Sequence, residues 1–244
     1  MTIAERFAAL IRDQPAALAV PELLPVQLAT AAQQLLGVDG AGISVMADPG
    51  LRVPLGASDP DAAAAERLQF TLGEGPCLHA HAIGRPVIAD SDELASRWPL
   101  LYEQLITRTP FRAVISLPLR HQLTGLGALD LHLRHSESVH AYLREESIYQ
   151  VADEIGTALA APQPVSGDGS PDHWVDPPWL DSPAAQGRQR VWLAIGMVSV
   201  HLDLPASDAL ATLRGLAHAR NRDIDSVADD LTHQRIPLTD LEPQ

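Results

Sequence analysis

The stretch Val191–Arg235, VWLAIGMVSVHLDLPASDALATLRGLAHARNRDIDSVADDLTHQR, predicts a small unit of three helices. Its first helix, expected over about Arg188 to Leu202, is apolar on nearly all sides between Val191 and Val200. Apolar residues then recur at intervals of three and four positions, as they do along one helix face: Ala209, Leu210, Leu213, Leu216 and Ala217, followed by Ile224, Val227, Ala228 and Leu231. Asp223 is placed to cap the third helix. We assign this unit to residues 184–240.

The first 160 residues predict an α+β domain in which helices flank an antiparallel sheet. Alternating apolar residues predict strands near residues 41–46, 51–57, 87–89, 112–119 and 126–133. Helical spacing predicts helices near residues 23–36, 60–70, 98–106 and 139–159. This order, with a helix, two strands, another helix, further strands and a closing helix, is typical of an α+β fold with an antiparallel sheet.

Residues 161–183 predict a linker between the two units, because six prolines and two glycines occupy these 23 positions. Trp174 and Trp179 are unusual in a solvated tether, since a large aromatic side chain gains most of its stabilisation from burial. We therefore expect these two tryptophans to anchor the linker against one of the domains.

Composition and charge exclude several classes of protein. The net charge of −14 argues against coating nucleic acid by charge alone and against binding to anionic membranes. The single cysteine, Cys77, excludes an intramolecular disulfide framework. The N-terminus shows no signal-peptide pattern, and the apolar run Val191–Val200 is too short to span a bilayer. We expect a cytoplasmic protein without a membrane partner.

The apolar face of the first C-terminal helix predicts an association surface. Val191, Trp192, Ile195 and Val198 are the residues that we expect to dock on the upstream domain or on a second copy of the chain. The physical reason is size, because a unit of some 55 residues is too small to bury every side of such a helix. The alternative is that these side chains form the ordinary core of the unit.

Both units resemble known domains. The C-terminal unit resembles the ANTAR domain at Ala194, Gly196, Met197, Leu202, Leu204, Asp208, Ala209, Leu213, Arg214, Ala217, Asn221, Arg222, Val227 and Ala228. The first 160 residues resemble a GAF domain, especially at Leu72–Cys77 (LGEGPC) and Gly84–Val87 (GRPV). Their order resembles that of actinobacterial GAF–ANTAR transcription antitermination regulators.

The resemblance implies a signal-responsive RNA-binding antiterminator. Such a protein holds a nascent transcript with two small hairpin loops, is often a homodimer, and carries a GAF domain that senses a small molecule or a partner. Two positions depart from the family pattern: Ile195 stands where many members carry lysine, and His201 replaces a common basic residue. Both departures remove charge that could meet phosphate. The alternative function is a protein-interaction or dimerisation module that has lost RNA binding.

Arg214, Arg220, Asn221 and Arg222 are the predicted RNA contacts. Arginine makes bidentate contacts with phosphate and stacks on unpaired bases, which suits recognition of RNA loops. The alternative is that they are solvated residues at a helix end, where cations are favoured. Residues 188–240 carry six arginines and seven aspartates, so the unit is nearly neutral rather than basic.

The remaining candidate sites are weaker. Cys77, His79 and His81 would place three metal ligands on one face if they lay in a strand, but a buried cysteine with two surface histidines is the simpler interpretation. Gly73 and Gly75 could present backbone N–H groups to a phosphate. The spacing of the acidic residues Asp90, Asp92 and Glu93 does not indicate a paired-carboxylate site for acid–base chemistry. We expect no enzyme, no catalytic or metal-binding residue and no cofactor, and the GAF ligand contacts are unknown.

Overall fold

The structure is a computed structural model that describes residues 1–46, 52–120, 123–136, 139, 146–161 and 177–241. Its strands are β1 Gly40–Met46, β2 Arg52–Ala57, β3 Val87–Ala89, β4 Ala113–Pro118 and β5 Gly127–Leu133. Its α-helices are α1 Ile3–Arg12, α2 Leu24–Leu36, α3 Pro60–Leu72, α4 Pro76–Ile83, α5 Ser91–Arg97, α6 Pro99–Arg108, α7 Glu146–Ala160, α8 Pro183–Leu202, α9 Ala206–Ala219 and α10 Ile224–Thr232. The helix predicted over residues 139–159 extends into residues 140–145, which lie outside the described ranges.

The described strands form one sheet in the order β2-β1-β5-β4-β3, and every neighbouring pair is antiparallel. The predicted α+β class with an antiparallel sheet is therefore confirmed. Side chains alternate between the two faces of each strand. One face carries Ile43, Leu55, Ile115 and Leu131, which are buried with residues of α1, α2 and α7 in the main hydrophobic core. The opposite face contacts α3 and α4.

The end of the predicted linker is folded onto the first domain. Pro178–Asp181 forms a 3-10 helix, and Trp179 is 6% exposed within the main core. Ser182 Oγ donates a hydrogen bond to the carbonyl of Leu55 at 3.3 Å. The predicted anchoring role of Trp179 is therefore confirmed, whereas Trp174 lies outside the described residues.

The C-terminal unit is formed by α8, α9 and α10, which pack around a shared hydrophobic core. The first of these helices begins at Pro183, earlier than the expected Arg188, because Ser182 Oγ accepts a hydrogen bond from the Ala185 amide at 3.2 Å and caps it. Asp223 caps α10 as predicted, since its Oδ1 accepts from the Ser226 amide at 2.7 Å.

The four residues predicted to dock on the upstream domain or on a second copy of the chain lie mainly in the core of the three-helix unit, which also contains Phe70 of the first domain, and Trp192 packs against the main core as well. Val191, Ile195 and Val198 are buried within the core of the three-helix unit, and Trp192 is half-buried. Positions i, i+4 and i+7 share one helix face, and α9 and α10 cover that face. These three side chains are therefore not available to a second copy of the chain.

The exposed apolar side chains of α8 lie on its other side: Leu193 is 58% exposed and Val200 is 85% exposed. Among the described residues, no single helix is both long and apolar enough to cross a membrane. The pair α8 and α9 reaches that length and composition only when joined, across a bend of 106°.

Candidate regulatory site at the junction of the two units

Phe70 of α3 connects the two units, because it belongs to the first domain and is buried in the core of the second. Two arginines of the three-helix unit flank its ring. The guanidinium carbon of Arg188 lies 3.5 Å from the ring centroid, and that of Arg214 lies 5.3 Å from it. Cations at these distances are attracted to the aromatic ring. The contact therefore combines apolar burial with charge, and both forces hold the three-helix unit on α3.

Two of the four predicted RNA contacts are engaged by the first domain. Arg214 Nε donates to the Phe70 carbonyl at 3.2 Å. Asn221 lies in the left-handed backbone region, with φ +51°, and Arg108 Nη2 of α6 donates to its Oδ1 at 2.5 Å and to its carbonyl at 3.1 Å. Arg214 and Asn221 thus lie at the junction rather than on an open surface.

The other two predicted RNA contacts pair within the C-terminal unit. Arg220 Nη2 lies 3.5 Å from Asp240 Oδ2. Arg222 Nη1 donates to Asp230 Oδ2 at 2.6 Å, and its Nη2 donates to the Ser226 carbonyl at 3.0 Å. Arg222 therefore stabilises α10. Arg220 and Asp240 form a partly exposed ion pair, and such pairs contribute little to the free energy of unfolding.

Further contacts fix the orientation of α10 on α3. The Ile224 amide donates to Thr71 Oγ1 at 3.2 Å, which satisfies a backbone donor at the start of α10. Arg67 Nε lies 3.6 Å from Asp223 Oδ2 across the junction. These polar contacts set the angle at which the unit docks, since apolar burial alone is non-directional.

A buried charge network lies on the sheet face beneath α3 and consists of Arg52, Glu66, Asp130 and His132. Arg52 Nη1 donates to the Glu66 carbonyl at 2.7 Å, and its Nη2 pairs with the Glu66 carboxylate. Asp130 Oδ2 lies 3.5 Å from Arg52 Nη2 and accepts from Gln69 Nε2 at 3.0 Å. His132 Nε2 lies 3.4 Å from Glu66 Oε1.

The two carboxyl groups of this network have opposite pKa shifts. Burial is the largest influence on the pKa of Glu66 and acts to raise it, but Arg52, His132 and Asp130 together outweigh burial, and the pKa falls to about 2. For Asp130, burial and the charge of Glu66 raise the pKa to about 7, because Arg52 offsets them only in part. The network therefore holds an ionised Glu66 and an Asp130 that exchanges its proton near neutral pH.

None of these four network residues was among the sites predicted from sequence. A signal was present in β5, where Asp130 and His132 occupy alternate positions of an otherwise apolar strand. A second signal was Gly42, because a glycine inside a strand often marks a close approach by another element. In the structure, an added Cβ at Gly42 would lie 2.5 Å from Glu66 Cδ. Alternation alone does not show whether such residues face solvent or a buried partner on another element.

The weaker sequence candidates have structural roles. Cys77, His79 and His81 lie on helix α4, where residues two apart do not share a face. Among the described residues, no group of three or more His, Cys, Asp or Glu is placed to hold a metal ion. Cys77 is buried, its Sγ lies 3.7 Å from Ser44 Oγ, and burial raises its thiol pKa well above the usual value. Asp90 Oδ1 caps α5 by accepting from the Glu93 amide at 2.8 Å.

The glycine-rich bend Leu72–Cys77 also has a structural role. Gly73 ends α3 in the left-handed region with φ +73°, and an added Cβ would lie 2.7 Å from Arg214 Cζ. At Gly75, an added Cβ would lie 2.5 Å from Gln69 Oε1, the atom that accepts from the Cys77 amide at 2.9 Å. Side chains of the protein itself therefore occupy the space beside both glycines.

Comparison with known proteins assigns the first domain. The GAF domain family model matches residues 26–159. Solved structures similar to this chain include the NLH2 GAF domain of A. aeolicus in an inactive state, with 14% identity over 64% of this chain and 91% of that one and a TM-score of 0.43.

Two further similar structures are GAF domains. One is from a phosphoenolpyruvate-protein phosphotransferase of Coxiella burnetii, with 18% identity over 64% of this chain and 92% of that one and a TM-score of 0.40. The other is the phycoerythrobilin-bound GAF domain of a cyanobacterial phytochrome, with 16% identity over 65% and 92% and a TM-score of 0.41. The curated proteins contain no match. Because the family model matches more than half of the 244 residues, the chain belongs to the GAF domain family.

Proposed function

We propose that this GAF protein is a signal-responsive regulator whose C-terminal three-helix unit binds RNA and prevents transcription termination. A GAF domain is a signal-sensing module, so the first domain supplies the input. The output is the ANTAR-like unit of residues 184–240, which acts on a nascent transcript with paired hairpin loops, in the cytoplasm and as a homodimer.

The observation that carries this proposal is the engagement of Arg214 and Asn221 by the first domain. Arg214 donates to Phe70 of α3, and Asn221 accepts from Arg108 of α6. If RNA binds through these two side chains, it competes with docking of the three-helix unit on the first domain. A signal that weakens docking therefore raises the affinity for RNA, because more of the protein is then in the released state, which is the state that binds RNA. Such a signal must itself bind the released state more tightly than the docked state.

The departures from the ANTAR pattern bear on where RNA would bind. Ile195 is 9% exposed and packs in the core of the unit, so this position does not face a nucleic acid. His201 is exposed at the end of α8. The RNA surface is therefore assigned to α9 and the turn after it, which carry Arg214, Arg220 and Asn221.

The test is an Arg108→Ala substitution in the full chain, measured by RNA binding. The loss of two partly exposed hydrogen bonds costs roughly 1 kcal/mol of docking, or about a five-fold shift toward the released state. Arg12→Ala on α1 is the matched control, because it removes the same charge from an exposed helix end. We expect Arg108→Ala to bind a two-hairpin leader transcript more tightly than the wild type, whereas Arg12→Ala binds no more tightly.

Salt dependence completes the experiment. Binding through arginine–phosphate contacts weakens as salt concentration rises, because counterions are released from the RNA. If neither the wild type nor Arg108→Ala binds the transcript at about 50 mM salt, the proposal of RNA binding is wrong. If both bind equally, RNA binding stands and regulation by docking is wrong.

The second candidate function is a protein-interaction module without RNA binding. An open, mostly apolar surface favours it, formed by Trp192, Leu193, Gly196, Met197, Val200 and His201 of α8 together with Leu238 near the end of the described chain. Leu193→Ser should weaken self-association in sedimentation equilibrium, whereas Leu100→Ser, at a similarly exposed leucine of α6, should not. The second candidate function is favoured if self-association depends on Leu193 and the protein binds no transcript.

A further inference from the structure

Helix α3 connects the buried charge network to the three-helix unit. Its residue Glu66 belongs to the network, and Phe70, one turn later, is buried in the core of the three-helix unit. Arg67 and Thr71 of the same helix contact the start of α10. Because a helix moves as one body, a shift of α3 relative to the sheet also changes the surface on which the three-helix unit docks.

The network side of α3 is packed without spare space. Gly42 of β1 approaches the helix so closely that an added Cβ would lie 2.5 Å from Glu66 Cδ. Gln69 joins α3 to two further elements, since its Nε2 donates to Asp130 Oδ2 at 3.0 Å and its Oε1 accepts from the Cys77 amide at 2.9 Å. A change in the network therefore acts on the position of α3, because close packing transmits strain.

Glu66 also lies at the border between the two units. A cleft of about 180 Å³ separates β2 and α3 from the three-helix unit at this point. Glu66 and Arg67 line the α3 side of the cleft, and Gly187 of α8 and Asp225 of α10 line the other side. Glu66 is therefore part of both the network and the junction.

The charges around Asp130 are not balanced when both carboxyl groups are ionised. The titratable groups that face Asp130 come from four elements: Arg52 of β2, Glu66 of α3, Cys77 of α4 and His132 of β5. The neighbouring strands β1 and β4 place the uncharged residues Gly42 and Ser116 opposite Asp130. The Cys77 thiol stays neutral near pH 7 because burial raises its pKa well above the usual value. One guanidinium, that of Arg52, therefore faces two carboxyl groups.

A proton on Asp130 changes the contact between the two carboxyl groups. When Asp130 is neutral, its O–H donates a hydrogen bond to the Glu66 carboxylate, and this bond holds α3 on β5. When Asp130 is ionised, neither group has a proton to donate, and two like charges repel each other in a buried site. Asp130 Oδ1 is buried and no described residue donates to it, so the added charge gains no further partner.

One effect of the docked unit opposes this repulsion. Arg188 of α8 lies against Phe70, and burial, together with smaller effects that include repulsion from Arg52, lowers its pKa to about 10. An ionised Asp130 would offset part of the repulsion between the two arginines. The strongest influences on the pKa of Asp130 are burial, Glu66 and Arg52, and Arg188 is not among them. Repulsion within the carboxyl pair therefore decides the sign.

We propose that the proton shared by Asp130 and Glu66 controls docking of the three-helix unit. With the proton, α3 is held on the sheet and the unit docks; without it, α3 moves away from β5 and the unit is released more often. The proton exchanges near neutral pH, because the pKa of Asp130 is about 7. In the proposed regulator a rise in pH then raises the affinity for RNA, and this consequence alone rests on the proposed function.

The test is native-state hydrogen exchange on the full chain without RNA, so its result does not depend on the proposed function. Protection factors, which correct for the effect of pH on intrinsic exchange, are compared at about pH 6 and about pH 8 for amides of α8, α9 and α10. If release returns Asp130 to its usual pKa of 3.8, docking becomes about ten-fold weaker at the higher pH. We expect protection of α8–α10 to fall roughly three- to ten-fold, with β1 and β5 better protected at both pH values.

Four variants identify the group that carries the proton. Asp130→Asn keeps the shape of the side chain but does not ionise, so it should protect α8–α10 equally at both pH values. Glu66→Gln removes the repelling carboxylate, should give the same result, and replaces Asp130→Asn if that variant does not fold. Asp61→Asn makes the same change on α3 outside the network and should keep the wild-type pH dependence. His132→Gln should keep it as well, although His132 contacts Glu66.

Several results would overturn the proposal. The wild-type protection factors of α8–α10 could be equal at the two pH values or could rise with pH. Asp130→Asn and Glu66→Gln could keep the decrease, or His132→Gln could abolish it, which would place the proton on His132. Equal protection of α8–α10 and of the sheet at both pH values would show that the whole chain opens at once, and docking would then not be a separate step.

Discussion

Replacement of Phe70 by alanine tests whether this side chain holds the three-helix unit on the GAF domain. Phe70 is fully buried among residues of α8, α9 and α10 and contacts the guanidinium groups of Arg188 and Arg214. A buried phenylalanine replaced by alanine destabilises a protein by roughly 3–5 kcal/mol, through lost burial and the cavity left behind. If the loss acts on docking, the equilibrium constant for docking falls by a factor of roughly 100 to several thousand.

The assay is native-state hydrogen exchange, which reports local opening segment by segment. We expect amides of α8, α9 and α10 to lose most of their protection in Phe70→Ala, while those of β1 and β5 retain it. Phe7→Ala is the matched control, because Phe7 is 2% exposed but belongs to the main core with α1, α2 and α7. That control should lower the protection of the sheet and of α1 and α2.

Two outcomes contradict this reasoning. Phe70 does not control docking if Phe70→Ala leaves the exchange of α8–α10 unchanged. The two units are a single cooperative unit, rather than two docked parts, if Phe70→Ala and Phe7→Ala produce the same exchange profile across the whole chain. In that case release of the three-helix unit could not be a regulatory step.

Two further substitutions test the buried charges and the glycine bend. Burial and the charge of Glu66 raise the pKa of Asp130 from the usual 3.8 to about 7. Between these two pH values, the folded state holds a proton that the unfolded state has lost, so the free energy of unfolding falls as the pH rises from 3.8 to 7. Asp130→Asn should therefore match the wild type in urea unfolding only at pH values below the usual pKa of 3.8, and it should exceed the wild type at pH 8 by on the order of 1 kcal/mol or more. Equal stabilities at both pH values would contradict the raised pKa. Gly73→Ala should destabilise the protein more than Gly84→Ala, since both glycines have positive φ but an added Cβ clashes with Arg214 only at Gly73; equal thermal shifts would show that the Arg214 contact contributes little.

Much of the secondary structure could be predicted from local patterns. The alternation in β1 and β5 and the spacing of apolar residues in α9 and α10 reflect the periods of a strand and of a helix, which a short stretch of chain determines by itself. Asp223 was recognisable as a helix cap for the same reason, because its partner lies only three residues away. The start of α8 was predicted too late because the proline-rich composition obscured the cap at Ser182.

The candidate site could not be predicted in the same way. Arg214 and Asn221 were identified as polar residues of the C-terminal unit, but their partners Phe70 and Arg108 are more than 100 positions earlier in the chain. No local pattern encodes a contact across such a distance. The apolar face of α8 was predicted to be an association surface, whereas the packing of the other helices places Val191 in the unit's own core.

The sequence by itself determined most of the local elements and the antiparallel α+β class of the GAF domain, because short-range periodicity and turn residues carry that information. Only the tertiary structure decided which charges are buried together, where the three-helix unit docks and which cleft forms between Asp225 and β2. The reason is that burial, pKa shifts and unsatisfied hydrogen bonds arise from neighbours in space, and those neighbours are set by packing rather than by position in the chain.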